Sequence, residues 1–118
     1  MLESMSLNVL IVDDNRAAAE LLRELLELQD HTAQCAYNGQ QALDAAAEGT
    51  FDVALIDLSL PDMHGTEVAQ QLRAGHGQGP APRLVAVSGH AASEATRGLF
   101  DHHLQKPIDF EALDRILA

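Results

Sequence analysis

The chain has 118 residues, of which 47% are hydrophobic, and this size suits one domain with a single core. Its formal net charge of -11, from 18 acidic and 7 basic residues, argues against binding to nucleic acid or to an anionic membrane, because both need a basic surface. Cys35 is the only cysteine, so no disulfide forms within the chain, and no apolar stretch has the length of a signal peptide or a membrane span. We therefore expect a cytoplasmic protein.

After a patternless N-terminal extension over 1–6, apolar runs alternate with amphipathic segments along the chain. The predicted elements are strands over 8–12, 32–36, 52–56, 83–87 and 103–105, and helices over 15–30, 40–48, 66–74, 93–99 and 109–117. The first helix is expected to bury its apolar residues, namely Ala18, Leu21, Leu22, Leu25, Leu26 and Leu28. The alternation predicts an α/β domain with a mostly parallel sheet and right-handed crossovers.

Chemically active side chains follow four of the predicted strands. They are Asp13 and Asp14, Asp57, Ser88 and Lys106. Because the carboxyl ends of parallel strands meet at one edge of a sheet, these side chains are expected to share one crevice. Carboxylate oxygens without His or Cys suit Mg²⁺ or Mn²⁺, and crowding should raise the pKa of at least one carboxyl in the absence of the cation. The pattern predicts a divalent metal and phosphoryl site.

The residue types suggest a division of labour within this site. Asp57 ends a central strand, which makes it the best placed nucleophile toward phosphorus, and attack would give an acyl phosphate. Lys106 offers a point charge, and Ser88 a hydroxyl donor, to phosphoryl oxygens. Asp13 and Asp14 alone would more often form a capping turn before a helix, so the combination at four strand ends is what favours function.

Four motifs in order resemble the receiver domain of two-component response regulators, including receivers attached to hybrid kinases. They are Val-Asp-Asp-Asn at 12–15, Asp57 followed by Leu-Ser-Leu-Pro-Asp-Met-His-Gly, Val-Ser-Gly at 87–89, and Phe-Asp-His-His-Leu-Gln-Lys-Pro-Ile-Asp at 100–109. The resemblance covers 7–118 as one receiver domain. It implies a flavodoxin-like, doubly wound, five-stranded parallel sheet in the order 2-1-3-4-5.

The resemblance also implies roles for the acidic residues. Asp57 would accept a phosphoryl group from the phosphohistidine of a sensor histidine kinase or phosphotransfer domain. Asp14, Asp57 and the main chain of Ser59 would hold Mg²⁺, and Asp13 would bind it through water. Such a domain catalyses its own phosphorylation and dephosphorylation and turns over no external substrate.

By the same resemblance, Ser88 and Lys106 grip the phosphoryl oxygens, the bond before Pro107 is cis, and Gly65 has a structural role. On phosphorylation Ser88 would move toward the phosphate and His103 would swing inward. This movement would change the face formed by the fourth helix, fifth strand and fifth helix, where a downstream protein binds.

The sequence departs from the family pattern in two places. His103 replaces the usual Tyr or Phe, so the switch is either pH-sensitive or weaker, and an ordinary surface histidine is the alternative. The spacing from Ser88 to Lys106 is about four residues shorter than usual, close to one helical turn, which predicts a short or displaced fourth helix. Ser59 and His90 stand where the family tunes the lifetime of the phosphoryl group, although His90 also fits a solvated loop.

Two other functions are compatible with parts of this pattern. A degenerate receiver would act as a protein-interaction module without phosphorylation, but the joint presence of the five site residues speaks against it. A small Mg²⁺-dependent phosphohydrolase working through an aspartyl phosphate would have a second acid two residues after Asp57, where this chain has Ser59. A cap domain to hold a substrate is also missing.

Overall fold

The computed structural model describes residues 6–74, 82–89 and 98–117. Its elements are β1 (Asn8–Val12), α1 (Arg16–Leu28), β2 (Thr32–Ala36), α2 (Gly39–Glu48), β3 (Val53–Asp57), α3 (Gly65–Arg73), β4 (Arg83–Ser88), β5 (His102–Gln105) and a C-terminal helix (Phe110–Leu117). The five strands form one sheet in the order β2-β1-β3-β4-β5, and all four neighbouring pairs are parallel. The predicted doubly wound fold and strand order are confirmed.

Two predicted features fall largely or wholly on residues that the structure does not describe. The predicted fourth helix, 93–99, is described only at Gly98 and Leu99, which lie in a turn. Its shortening or displacement therefore stays a prediction. Apart from residue 82, the glycine- and proline-rich stretch over 75–82, predicted as a surface loop, also lies outside the described residues.

The sheet separates two apolar layers, because each central strand is buried on both faces. On one face, side chains of alternate strand residues pack against α1 and the C-terminal helix, through residues such as Leu26, Leu55 and Leu113. On the other face, residues such as Ile56 and Val68 pack with α2 and α3. Within the described part of the chain, no helix has both the length and the apolar character needed to cross a membrane.

Helix α1 buries a narrower stripe than the sequence predicts. Its buried residues are Ala19, Leu22 and Leu26, whereas Leu21 is 57% exposed and Leu28 is 80% exposed. At 3.6 residues per turn, Leu21 and Leu28 lie more than about 120° around the helix from the centre of the buried stripe. A helix that lies on a flat sheet covers only one side of itself, so these two leucines stay in solvent. The prediction that they point inward is wrong, and so is the prediction for Ala18, which is also exposed.

The two strands that carry site residues run one residue further than predicted. Asp57 and Ser88 are the last residues of β3 and β4, and do not come after them. The pairing continues because Asp57 lies opposite Val87, whose carbonyl accepts a hydrogen bond from Leu58 N at 3.1 Å. Both side chains are therefore buried at the carboxyl edge of the sheet, at 5% and 7% exposure.

Candidate metal and phosphoryl site

Three carboxylates meet where β1 and β3 end. Asp13, Asp14 and Asp57 each offer one oxygen, and these oxygens lie within 4.8 Å of one another. The turn after β1 brings the first two together: Asp13 N donates to Ala36 O at 3.0 Å, and Asp13 Oδ1 accepts from Asn15 N at 2.9 Å. Asn15 then caps α1, as predicted, so the chain leaves the site at once into a helix.

Asp57 has a hydrogen-bond partner on each carboxylate oxygen. Ser59 N donates to Oδ1 at 2.9 Å, and Lys106 Nζ donates to Oδ2 at 2.9 Å. The same ammonium lies 3.7 Å from Asp13 Oδ2. Lys106, which follows β5, is thus the cation between two carboxylates that come from β1 and β3. The structure brings together the acids and the lysine that the sequence selects.

The local electrostatics match this arrangement. Burial raises the pKa of Asp13 above its ordinary 3.8, and the nearby charge of Asp57 raises it further. The prediction that a carboxyl in this cluster has a raised pKa is confirmed, although burial contributes more than crowding. Burial alone would lower the pKa of Lys106, but its hydrogen bond to Asp57 and the charge of Asp13 outweigh burial and raise it. Lys106 therefore carries a full positive charge at neutral pH.

The donor set fits a hard divalent cation. All three side chains offer carboxylate oxygens, which are the ligands that Mg²⁺ and Mn²⁺ prefer in proteins, and each can supply one oxygen to a shared centre. Asp57 is buried and Asp13 is half-buried, whereas Asp14 is exposed to solvent. A cation placed among them would keep part of its water shell on the open side. The acidic cluster can hold such a metal.

The remaining predicted residues lie around this centre. Ser88 ends β4, one residue past the partner of Asp57, and its carbonyl accepts from Lys106 N at 2.7 Å. Ser59 is exposed in the loop after β3 and forms an isolated antiparallel bridge with His64. His103 lies on β5 opposite Ala86 and is half-buried. His90 lies outside the described residues.

Two positions shape the backbone near the site. A Cβ atom added to Gly65 would lie 2.6 Å from the carbonyl oxygen of Asp57 and 2.8 Å from Leu58 Cα, so the start of α3 can approach β3 only through a glycine. The Lys106-Pro107 peptide bond is cis, as the resemblance implies.

The sequence did not single out Asp62 as a site residue. Its two carboxylate oxygens accept hydrogen bonds from Gly39 N at 2.8 Å and Gln40 N at 3.0 Å, the first amides of α2. Asn38, directly before the helix, provides the local cap. No fixed spacing in the sequence predicts a second cap that comes from another loop. The only signal was an acidic residue in a predicted turn.

Comparisons with known proteins agree with this geometry. The model of the response regulator receiver domain family matches residues 9–118. Response regulator MprA of Mycobacterium tuberculosis is 38% identical over 117 residues, which are 97% of this chain and 49% of that protein. A CheY-like receiver domain from Methylobacillus flagellatus superposes with a TM-score of 0.88 at 40% identity, covering 97% of both chains. A response regulator from Burkholderia pseudomallei, solved with a phosphorylated aspartic acid, calcium ion and citrate, has a TM-score of 0.81 at 28% identity, covering 94% of this chain and 66% of that one.

A doubly wound parallel sheet with an acidic cluster and a lysine at its carboxyl edge is typical of α/β domains whose site lies at that edge. Within that class, this chain belongs to the response regulator receiver domain family of two-component signalling. The chain spans about half the length of the curated relatives that it matches.

Proposed function

We propose that residues 7–118 are a phosphoacceptor receiver domain that takes a phosphoryl group onto Asp57 in a Mg²⁺-dependent reaction. The donor would be the phosphohistidine of a sensor histidine kinase or of a phosphotransfer domain. The observation that supports this most is the position of Asp57, which is 5% exposed, ends a central strand and bonds both Ser59 N and Lys106 Nζ. A phosphorylated aspartic acid in the similar Burkholderia pseudomallei protein gives independent support.

The transfer would be a single displacement at phosphorus. A carboxylate oxygen of Asp57 forms a bond to phosphorus while the phosphorus–nitrogen bond to the donor imidazole breaks, and the electron pair of that bond stays on the imidazole nitrogen. The result is an acyl phosphate on Asp57. Lys106, held 2.9 Å from Asp57 Oδ2, is placed to follow the oxygens of the transferring group. A bound Mg²⁺ would offset the negative charge that collects there.

Other residues would act around this step. Asp14, Asp57 and the main chain of Ser59 would hold Mg²⁺, with Asp13 bound through water. Ser88, at the end of β4, would hold a phosphoryl oxygen and, with His103, pass the change to a downstream protein through the face that includes β5 and the C-terminal helix. Ser59 and His90 would set how long the acyl phosphate survives, and its hydrolysis would be the domain's own.

Intact mass after incubation with a small acyl phosphate and Mg²⁺ tests this function. We expect one added phosphate on the wild type and none on Asp57→Asn. The matched control is Asp44→Asn, which removes the same charge from an exposed side chain on α2 whose partner is Gln40. It should be phosphorylated like the wild type.

The competing functions predict other results. No addition to the wild type in the presence of Mg²⁺ would support a degenerate interaction module. Repeated turnover of a phosphate ester, lost in Asp57→Asn, would support a phosphohydrolase.

A further inference from the structure

The loop that connects Asp57 to α3 is fastened at its tip to a helix that carries no predicted site residue. Asp62, on this loop, accepts hydrogen bonds from Gly39 N at 2.8 Å and from Gln40 N at 3.0 Å. Both amides belong to the first turn of α2, where backbone N–H groups have no partner inside the helix. The carboxylate therefore bridges two elements that are not neighbours in sequence.

The ends of the same loop are tied to the site. Ser59 N donates to Asp57 Oδ1 at 2.9 Å, and Gly65 N donates to Leu58 O at 3.0 Å. Ser59 also pairs with His64 in an isolated antiparallel bridge. Residues 58–65 thus form a loop whose two ends lie next to Asp57 and whose middle is held to α2 by Asp62.

A close contact between Met63 and Gly39 limits how near this loop lies to α2. A Cβ atom added to Gly39 would lie 2.4 Å from Met63 Cγ and 2.6 Å from Met63 Sδ. The thioether side chain therefore fills the space directly over the glycine, next to the two hydrogen bonds of Asp62. A polar contact and an apolar contact, from consecutive residues, set where the loop sits on the helix.

The charge on Asp62 suits this role. The hydrogen bonds from Gly39 and then Gln40 lower the pKa of Asp62 below its ordinary 3.8, so the carboxylate is ionised at neutral pH. A negative charge at the start of a helix also interacts favourably with the helix dipole. The tie between loop and helix is thus charge-assisted under ordinary conditions.

We propose that Asp62 is a positioning residue. By anchoring the loop to α2, it holds the main chain of Ser59 in the position from which it would bind Mg²⁺. It acts through the loop and touches neither the metal nor the phosphoryl group. This inference rests on the proposed function, because Ser59 is a ligand only if the acidic cluster binds Mg²⁺. Its consequence is that the metal affinity depends on a contact made on the far side of the loop.

The test measures Mg²⁺ affinity by titration calorimetry, alongside the melting temperature, for the wild type, Asp62→Ala, Asp62→Asn and Asp44→Ala. We expect Asp62→Ala to weaken Mg²⁺ binding about tenfold, as loss of a supporting contact around a metal does. Asp62→Asn keeps one acceptor oxygen and should lose less, and it replaces Asp62→Ala if that variant does not fold. Asp44→Ala removes the same charge from an exposed position on α2 and should bind Mg²⁺ like the wild type.

Saturating Mg²⁺ should restore the phosphorylation rate of Asp62→Ala, because the nucleophile and Lys106 are unchanged. Unaltered Mg²⁺ affinity with a lowered melting temperature would reduce Asp62 to a structural cap and overturn the inference. Equal weakening in Asp44→Ala would overturn it too, since the cause would then be net charge. If the wild type binds no Mg²⁺, or if Asp57→Asn binds it equally well, the proposed function fails first and the inference fails with it.

Discussion

The carboxyl ends of β1 and β3, called the acceptor half below, and strand β5, called the β5 half, are built differently. Around the ends of β1 and β3, Asp57 has a donor on each carboxylate oxygen, and Asp13 accepts from Asn15 N while lying 3.7 Å from the Lys106 ammonium. On β5, the Nε2 atom of His103 is buried and has no hydrogen-bond partner among the residues that the structure describes. A buried polar atom without a partner costs about 1 to 3 kcal/mol.

Under the proposed function, this contrast separates acceptance of a phosphoryl group from its readout. In the acceptor half, Asp57 accepts hydrogen bonds on both carboxylate oxygens, and the loop that follows it is anchored to α2 by Asp62. In the β5 half, the imidazole of His103 is less well satisfied, because its Nε2 atom has no such bond among the described residues. A site that must react reproducibly benefits from the first arrangement, and an element that must change position benefits from the second.

The largest expected effect comes from removing the cation that joins the two halves. Lys106→Met should slow phosphorylation by a small acyl phosphate about 100-fold or more, because one preorganised donor to developing charge is worth that much. The initial rate, followed by intact mass at saturating Mg²⁺, measures it.

Arg115→Met is the matched control, since it removes the same charge from an exposed position on the C-terminal helix. It should react at the wild-type rate. A Lys106→Met rate within threefold of the wild type, for a folded protein, would show that the acceptor half does not depend on its lysine.

The second prediction tests how rigid the acceptor half is. Gly65→Ala places a Cβ atom 2.6 Å from the Asp57 carbonyl oxygen, and backbone on both sides leaves little room for adjustment. We expect the free energy of unfolding in urea to fall by about 2 to 3 kcal/mol. Gly49→Ala is the control, because the nearest atom to its added Cβ, Ala45 O, is 4.0 Å away. Equal free energies of unfolding of the two variants would mean that the start of α3 shifts at little cost to make room for the added Cβ atom.

The third prediction addresses the β5 half. His103→Leu replaces the imidazole by an apolar side chain and so removes a buried nitrogen that has no partner in the described part of the chain. We expect the free energy of unfolding at neutral pH to rise by about 1 kcal/mol. His102→Leu, at the exposed neighbouring position, should change it by less than about half of that. A loss of stability in His103→Leu would mean that the imidazole is well accommodated. The two halves would then differ little in how well their polar groups are satisfied.

Local patterns in the sequence predict the parallel α/β sheet and the acidic site, whereas the strand order was predicted from the resemblance to the receiver family. Apolar runs mark buried parallel strands, and the polar residues at their ends meet at one edge, so Asp13, Asp14 and Asp57 could be placed without coordinates. The burial of Leu21 and Leu28 was predicted wrongly because helical spacing does not tell how wide a stripe the sheet covers. The bond from Asp62 to α2 was missed because it joins segments whose distance depends on the whole fold.

The smallest expected effect lies at the other end of the β4 and β5 pair. Asp101 Oδ2 accepts from Leu84 N at 2.8 Å, and Oδ1 lies 3.2 Å from Arg73 Nη2. Burial would raise the pKa of Asp101, but these two partners outweigh it and lower the pKa below 3.8. A carboxyl with a lowered folded pKa stabilises the protein above its unfolded pKa, and the stabilisation is lost as pH falls through the folded value.

The wild type should therefore exceed Asp101→Asn in free energy of unfolding at neutral pH, and the difference should shrink as pH falls below 3.8. We expect it to be under about 1 kcal/mol, because both partners are about 40% exposed and the ion pair is screened by solvent. Urea unfolding across this pH range, at low and high salt, measures it. A difference that grows on acidification would contradict the sign, and one that ignores salt would assign the effect to the Leu84 amide and not to the ion pair with Arg73.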